Sequence, residues 1–141
     1  MKEVKKSWSF RQSPREVWEY LTNAELLEQW LMKSDIKPVV GHKFQFVHVP
    51  KNDGNYEGLV RCEVLEVNPY TRLAYSWSGR TKDESRTFNS NVVWTLVPKD
   101  NGTELQLHHH GFELAEDMET HSKGWETCIK RLEGRLNPVA A

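Results

Sequence analysis

The sequence predicts an α+β protein in which a curved six-stranded antiparallel sheet carries two short helices after its first strand and a long C-terminal helix across its face. Three observations carry this prediction. Met118, His121, Trp125, Cys128, Ile129, Leu132 and Leu136 recur at spacings of three and four, which makes one face of an amphipathic helix over Met118 to Leu136. Upstream, apolar and polar residues alternate in runs separated by short turn sequences, the period of half-buried strands. Between the first such run and the others stand two helix-start signals in succession.

In chain order, Val4, Trp8 and Phe10 share one face of the first strand, with Lys5, Ser7 and Ser9 on the other. Ser13-Pro14-Arg15-Glu16 then combines an N-cap serine, a proline at the first helical position and a glutamate three residues after the cap. Val17, Trp18 and Leu21 form the inner face of that helix. Thr22-Asn23 breaks it and caps a second, carrying Leu26, Leu27 and Trp30. Beyond Pro38 and Gly41, Phe44, Phe46 and His48 alternate on a second strand, and 51–55 supply a turn. Val60, Cys62 and Val64 alternate on a third strand, where Leu65 and Val67 change phase and predict a bulge. Asn68-Pro69 turns the chain. Leu73, Tyr75 and Trp77 face inward on a fourth strand, and Gly79 to Arg86 reads as a polar, mobile loop. Phe88, Ser90, Val92, Trp94 and Leu96 form the inward set of a fifth strand; Leu105, Leu107 and His109 form that of a sixth, after the turn at 99–102. On the closing helix, acidic Glu113, Glu116, Asp117 and Glu119 gather at the start and Lys130, Arg131 and Arg135 at the end, as the helix dipole favours.

Composition narrows the function classes. A length of 141 residues predicts one domain, 1–141. Nineteen basic and twenty acidic residues are scattered along the chain, which argues against a nucleic-acid partner. No apolar run reaches the roughly 20 residues of a membrane span, and the charged start MKEVKK lacks the apolar core of a signal peptide. Membrane insertion is therefore not expected, and a cytoplasmic location is. Cys62 and Cys128 stand far apart with no CxxC spacing, so they read as buried thiols and not as metal or redox ligands. Six tryptophans predict an aromatic core or an aromatic pocket.

The joints of the pattern resemble one family. Ser13-Pro14 with Val17-Trp18, Glu25-Leu26 with Trp30, Gly41 with Phe44, Asn68-Pro69 with Arg72-Leu73, Trp94-Thr95-Leu96, Gly111-Phe112 and Gly124-Trp125 together are similar to the activator of heat shock protein 90 ATPase homologue (AHSA-type) proteins. These belong to the START-related, birch-pollen-allergen-like SRPBCC superfamily. The resemblance covers nearly the whole chain. It implies the helix-grip fold and an internal cavity suited to lipids or other apolar small molecules. Chaperone stimulation, for which the family is named, belongs to members with an additional N-terminal domain, for which 141 residues are expected to leave no room. Where relatives carry a Gly-Gly pair, this chain has Gly41-His42, which predicts a stiffer backbone and an altered cavity rim.

Several residues could carry chemistry. His108 and His110 fall on the polar face of the last strand and His109 on the inner one, so the triple histidine cannot converge on a buried metal; a solvated edge is expected, with no metal and no cofactor. His48, His109 and His121 could converge in the cavity as polar hooks for a ligand, or each could be a hydrogen-bonded core or rim histidine; Tyr75 and Ser90 share that ambiguity. There is no G-x-S-x-G motif, no glycine-rich phosphate loop, and Cys128 lies between Trp125 and Ile129, surroundings that raise a thiol pKa.

The favoured reading is a non-enzymatic binder or carrier of a lipid-like or polycyclic aromatic molecule. Its expected contacts are Phe44, Phe46, His48, Tyr75, Trp77, Ser90, Trp94, His109, His121, Trp125 and Cys128. Gly124 is expected to mark a close approach of the helix to the sheet, with Trp125 between Trp94 and Tyr75. The alternatives are a protein-interaction module with a chaperone or other protein partner, and a cyclase- or hydrolase-type enzyme. The enzyme would need a carboxylate beside His109 or His48, and no inward Asp or Glu is evident on any strand.

Overall fold

A computed structural model of the chain describes residues 2–47, 58–80 and 87–136. The order is β1 (Lys2–Phe10), α1 (Pro14–Thr22), α2 (Ala24–Glu28), β2 (Lys33–Ser34), β3 (Lys43–Val47), β4 (Leu59–Asn68), β5 (Arg72–Arg80), β6 (Thr87–Lys99), β7 (Gly102–Phe112) and α3 (Ala115–Leu136). The strands form one antiparallel, open sheet in the order β1-β7-β6-β5-β4-β3-β2. First and last strands are thus neighbours, with Val4 opposite His109 and Trp8 opposite Leu105.

The helix starts work as their sequences require. Ser13 Oγ accepts from Glu16 N at 3.3 Å while the Glu16 carboxylate accepts from Ser13 N, a reciprocal capping box. Asn23 Oδ1 accepts from Glu25 N and Leu26 N at 3.0 and 3.2 Å, so one residue ends α1 and opens α2. Trp30, just beyond α2, donates its indole N–H to Tyr20 O at 2.9 Å and meets Trp94 edge-on, pinning the helical pair to the sheet.

Several expectations are corrected. The sheet has seven strands and not six, because the two-residue β2 pairs with β3 at Lys33–Val47 and Ser34–Phe46; two residues are too few to show a period. The closing helix begins at Ala115, three residues before Met118, because its first turn carries Glu116 and Asp117 and no apolar spacing to reveal it. The polar stretch predicted as a loop from Gly79 contributes Gly79 and Arg80 to β5, opposite Phe88 and Thr87; 81–86 lie outside the described residues, as do His48 and the turn at 51–55. Gly79 belongs in the strand because the Phe88 ring occupies the space a side chain there would fill.

The predicted bulge is present, between Val64 and Glu66, with Leu65 turned outward. Val64 there exchanges backbone hydrogen bonds with Gly41 N and His42 O at 2.8 and 3.0 Å. Gly41 holds φ of 90°, a left-handed conformation that favours glycine, and supplies the turn by itself. His42 stacks on Phe44 and is not among the described residues that line the cavity.

The core lies between the concave face of the sheet and the helices. Phe46, Leu73, Tyr75, Trp94, Leu105 and Leu107 are buried from the sheet, and Trp125, Ile129 and Leu132 from α3. Lys6 Nζ reaches Glu126 at 2.6 Å and ties α3 to the edge strand β1. Among the described residues no helix is long and apolar enough to cross a membrane.

Candidate functional site

The inner face of α3 carries the sheet's aromatic ladder across to the helix. Trp125 is wedged between Trp77 and Trp94, with ring centroids at 5.3 and 5.4 Å. Its neighbour opposite Trp94 is therefore Trp77, and not Tyr75 as the spacing predicted. Tyr75 is occupied one layer down, where its hydroxyl accepts from Trp94 Nε1 at 3.0 Å and burial pushes its pKa up.

Two histidines lie against this ladder, and each is held neutral by the same device. His109 is fully buried, and its Nδ1 accepts the Trp125 indole N–H at 3.0 Å. Ser90 Oγ spends its only proton on Trp77 O at 3.0 Å, so the 2.8 Å contact between Ser90 Oγ and His109 Nε2 requires the imidazole to donate. Both ring nitrogens are thereby committed. His121 Nδ1 lies 2.8 Å from the Asp117 carbonyl, which can only accept, so Nε2 is left to accept the Trp77 indole N–H at 3.2 Å. Burial holds His109 well below the ordinary histidine range, with His121 nearby adding to the effect. Burial also lowers His121, against an opposing pull from Asp117.

Beside the ladder opens a cavity of about 450 Å³ between α3 and strands β4 to β6 of the sheet. Such a volume suits a small organic ligand, for which pockets commonly run about 300–1,000 Å³. Its helix wall is made by His121, Gly124, Trp125 and Cys128, with Thr120, Thr127 and Arg131 around them. The sheet wall is Leu59 and Val60 of β4, Trp77 and Arg80 of β5, and Phe88 of β6; Leu31 and Met32 close one side. Gly124 does not mark a close approach: a Cβ built there meets nothing within 4 Å. The missing side chain leaves open space on the helix wall. Burial pushes the Cys128 thiol up to about 11, against the pull of Arg131.

Of the expected contact residues, Trp77, His121, Trp125 and Cys128 line the cavity. Phe44, Phe46, Tyr75, Ser90, Trp94 and His109 pack behind it as buried core, and His48 is not among the described residues. Leu31, Met32 and Phe88 are wall residues that the spacing argument did not single out as contacts. The one buried carboxylate among the described residues, Asp117, is on α3 and not on a strand, where the sequence offered no alternation to find it.

His108 and His110 project from the opposite face, with ring centroids at 4.6 Å, and His108 Nε2 lies 2.9 Å from Glu3 Oε2. β7 is not the solvated edge that the sequence suggests, because β1 and β6 flank it; the face is nonetheless open enough to leave the His108 side chain 39% exposed. Among the described residues no group of three His, Cys, Asp or Glu side chains could hold a metal ion.

The fold and this site can be set beside known proteins. A crystal structure of protein MLL2253 from Mesorhizobium loti is 32% identical, with 99% of each chain covered and a TM-score of 0.84. The AHSA1 protein from Silicibacter pomeroyi is 20% identical over 95% of this chain and 96% of that one, with a TM-score of 0.81, a likeness of fold. DynU16, a protein in the dynemicin biosynthetic locus, matches at 22% identity and TM-score 0.75 over 94% of this chain and 46% of its own. No curated protein sequence matches. The sequence pattern of the activator of Hsp90 ATPase homolog 1-like proteins matches residues 11–137, and with the helix-grip arrangement of sheet and closing helix it establishes that the chain belongs to that family.

Proposed function

We propose that the protein binds and carries an apolar small molecule, lipid-like or polycyclic aromatic, in the cavity between α3 and the sheet, without acting on it chemically. The observation that carries this reading is the cavity wall itself, where Trp77, Phe88, Trp125 and Met32 present ring and thioether surface around a ligand-sized space. The absence of catalysis is supported by the hydrogen bonds. Both nitrogens of His109 and of His121 are engaged, and among the described lining residues there is no carboxylate to act as a base.

Thermal shift against lipids, flavonoids and polyketide-like aromatics tests it. A ligand present at about 100 times its Kd should stabilise the fold by roughly 2.7 kcal/mol. A second reading, a protein partner such as a chaperone, is favoured by the family's description and by Val39 and Val40, which are 60% and 62% exposed on the loop before β3. A melting temperature unmoved by the whole ligand panel but raised by a chaperone would put that second reading in place of the first.

A further inference from the structure

We infer that the molecule taken up is an apolar acid, its body against the aromatic wall and its carboxylate paired with Arg131 at the cavity mouth. This rests on the binding function proposed above and goes beyond it by assigning the head group. In a chain with 19 basic and 20 acidic residues, the only formally charged side chains among the described lining are Arg80 and Arg131, both positive. Glu126, on the same helix, is committed to Lys6 at 2.6 Å. Among the described residues no carboxylate is paired with Arg131.

Position and donor supply make the same point. Arg131 lies three residues beyond Cys128 and seven beyond Gly124, on the helix face that forms the wall, and its charge is felt at the Cys128 thiol inside. The hydroxyl, indole and imidazole donors of the lining are already used. Thr120 Oγ1 and Thr127 Oγ1 donate to the carbonyls of Glu116 and Lys123 at 2.9 and 3.2 Å. The indoles of Trp77 and Trp125 donate to His121 and His109, and His121 donates to Asp117 O. The strong donor left to a ligand is the Arg131 guanidinium, whose planar fork matches a carboxylate with two parallel hydrogen bonds. A neutral alcohol would gain the wall and little else.

The test is titration of the full chain, followed by tryptophan fluorescence and calorimetry at low salt, with two matched pairs of probes: decanoate against decanol, and naphthoate against naphthalenemethanol. The acid of each pair should bind about tenfold more tightly than its alcohol, the scale of one charge-assisted hydrogen-bonded pair. Arg131→Gln should bring the acid down to the alcohol's affinity and leave the alcohol unchanged, and Arg131→Lys should keep part of the preference. Arg131 is exposed, so both variants should melt like the wild type. Alcohols binding as tightly as acids, or an acid preference that survives Arg131→Gln, overturns the head-group assignment while leaving the cavity's binding role intact. If neither member of either pair binds, the binding role falls and the assignment with it.

Discussion

His109 and its neighbours His108 and His110 are consecutive on β7, yet the inner ring and the outer pair meet opposite conditions. His109 is fully buried, with Trp125 donating to one nitrogen and Ser90 accepting from the other. The outer rings lie side by side over solvent, and His108 has the carboxylate of Glu3 at 2.9 Å. That contact holds the Glu3 carboxyl below its usual range. Strand alternation alone separates the two environments. What the difference teaches is that the inner face is built to keep imidazoles uncharged: an indole N–H aimed at a ring nitrogen occupies the lone pair that a proton would need. The same arrangement recurs at His121 with Trp77, on the cavity wall.

The largest expected break in this comparison comes from Trp125, the donor that caps His109. Trp125→Ala should cost about 3 to 5 kcal/mol, because it opens a void between Trp77 and Trp94 and strips His109 Nδ1 of its partner. Trp125→Phe should keep more of the packing while changing affinity for an aromatic ligand, whereas Trp18→Phe, on α1 away from the cavity, should leave affinity alone. Denaturant midpoints and ligand titrations on the three variants measure both effects. A Trp125→Ala variant as stable as the wild type would mean that the ladder across α3 contributes nothing.

How much of this could be read in the sequence differs between fold and site. Alternation placed Trp77, Ser90 and His109 inward, and the three- and four-residue spacing put His121, Trp125 and Cys128 on one helix face, because each of those facts follows from the local period. The period does not say which inward residues are covered by a second layer. Trp94 is sealed by Trp30 and Trp125, and Phe44 and Phe46 by each other and by their neighbours Tyr75 and Trp77, so these rings became core while Trp77 stayed at the wall. Leu31 and Met32 were out of reach for another reason. They follow α2 in a segment without periodicity, and only the folded chain brings them beside Val60 and Cys128. Gly124 shows the limit in one residue: its identity signalled an exception, and only the geometry shows that the exception is open space.

A smaller effect sharpens the comparison through pH. Histidines whose folded pKa lies below the unfolded value of about 6.5 take up protons more readily in the unfolded chain, so stability should fall as pH drops below about 6.5 and go on falling until the folded values are reached. Each such group contributes at most about 1.4 kcal/mol per pH unit. His109→Leu, which keeps an apolar side chain in that space, should be destabilised near neutral pH, where it leaves the Trp125 N–H without an acceptor. Its stability should then decline less steeply than the wild type's between about pH 6.5 and about pH 5, because one of the groups responsible is gone. Equal slopes would show that His109 is not held neutral.

The smallest expected effect is on the outer face. Replacing His108 and His110 together by glutamine removes two rings that touch each other and Glu3 but leave the core undisturbed. Since substitutions away from buried features usually change stability by less than about 0.5 kcal/mol each, the double variant should unfold close to the wild type near neutral pH. Its decline between about pH 6.5 and about pH 5 should keep most of the wild-type steepness, because His109 and His121, on the other side of the sheet, are still there to resist protonation, while His110, which burial also lowers, accounts for the part that is lost. Added salt should narrow any remaining difference, since the contact of His108 with Glu3 is open to solvent and screened within about 10 Å at 0.1 M ionic strength. Paired melts of this variant and His109→Leu across the same pH range make the measurement. Should the glutamine pair flatten the acid decline and His109→Leu leave it unchanged, the outer histidines and not the inner ones would set the pH response, and the division between the two faces of β7 would have to be drawn the other way round.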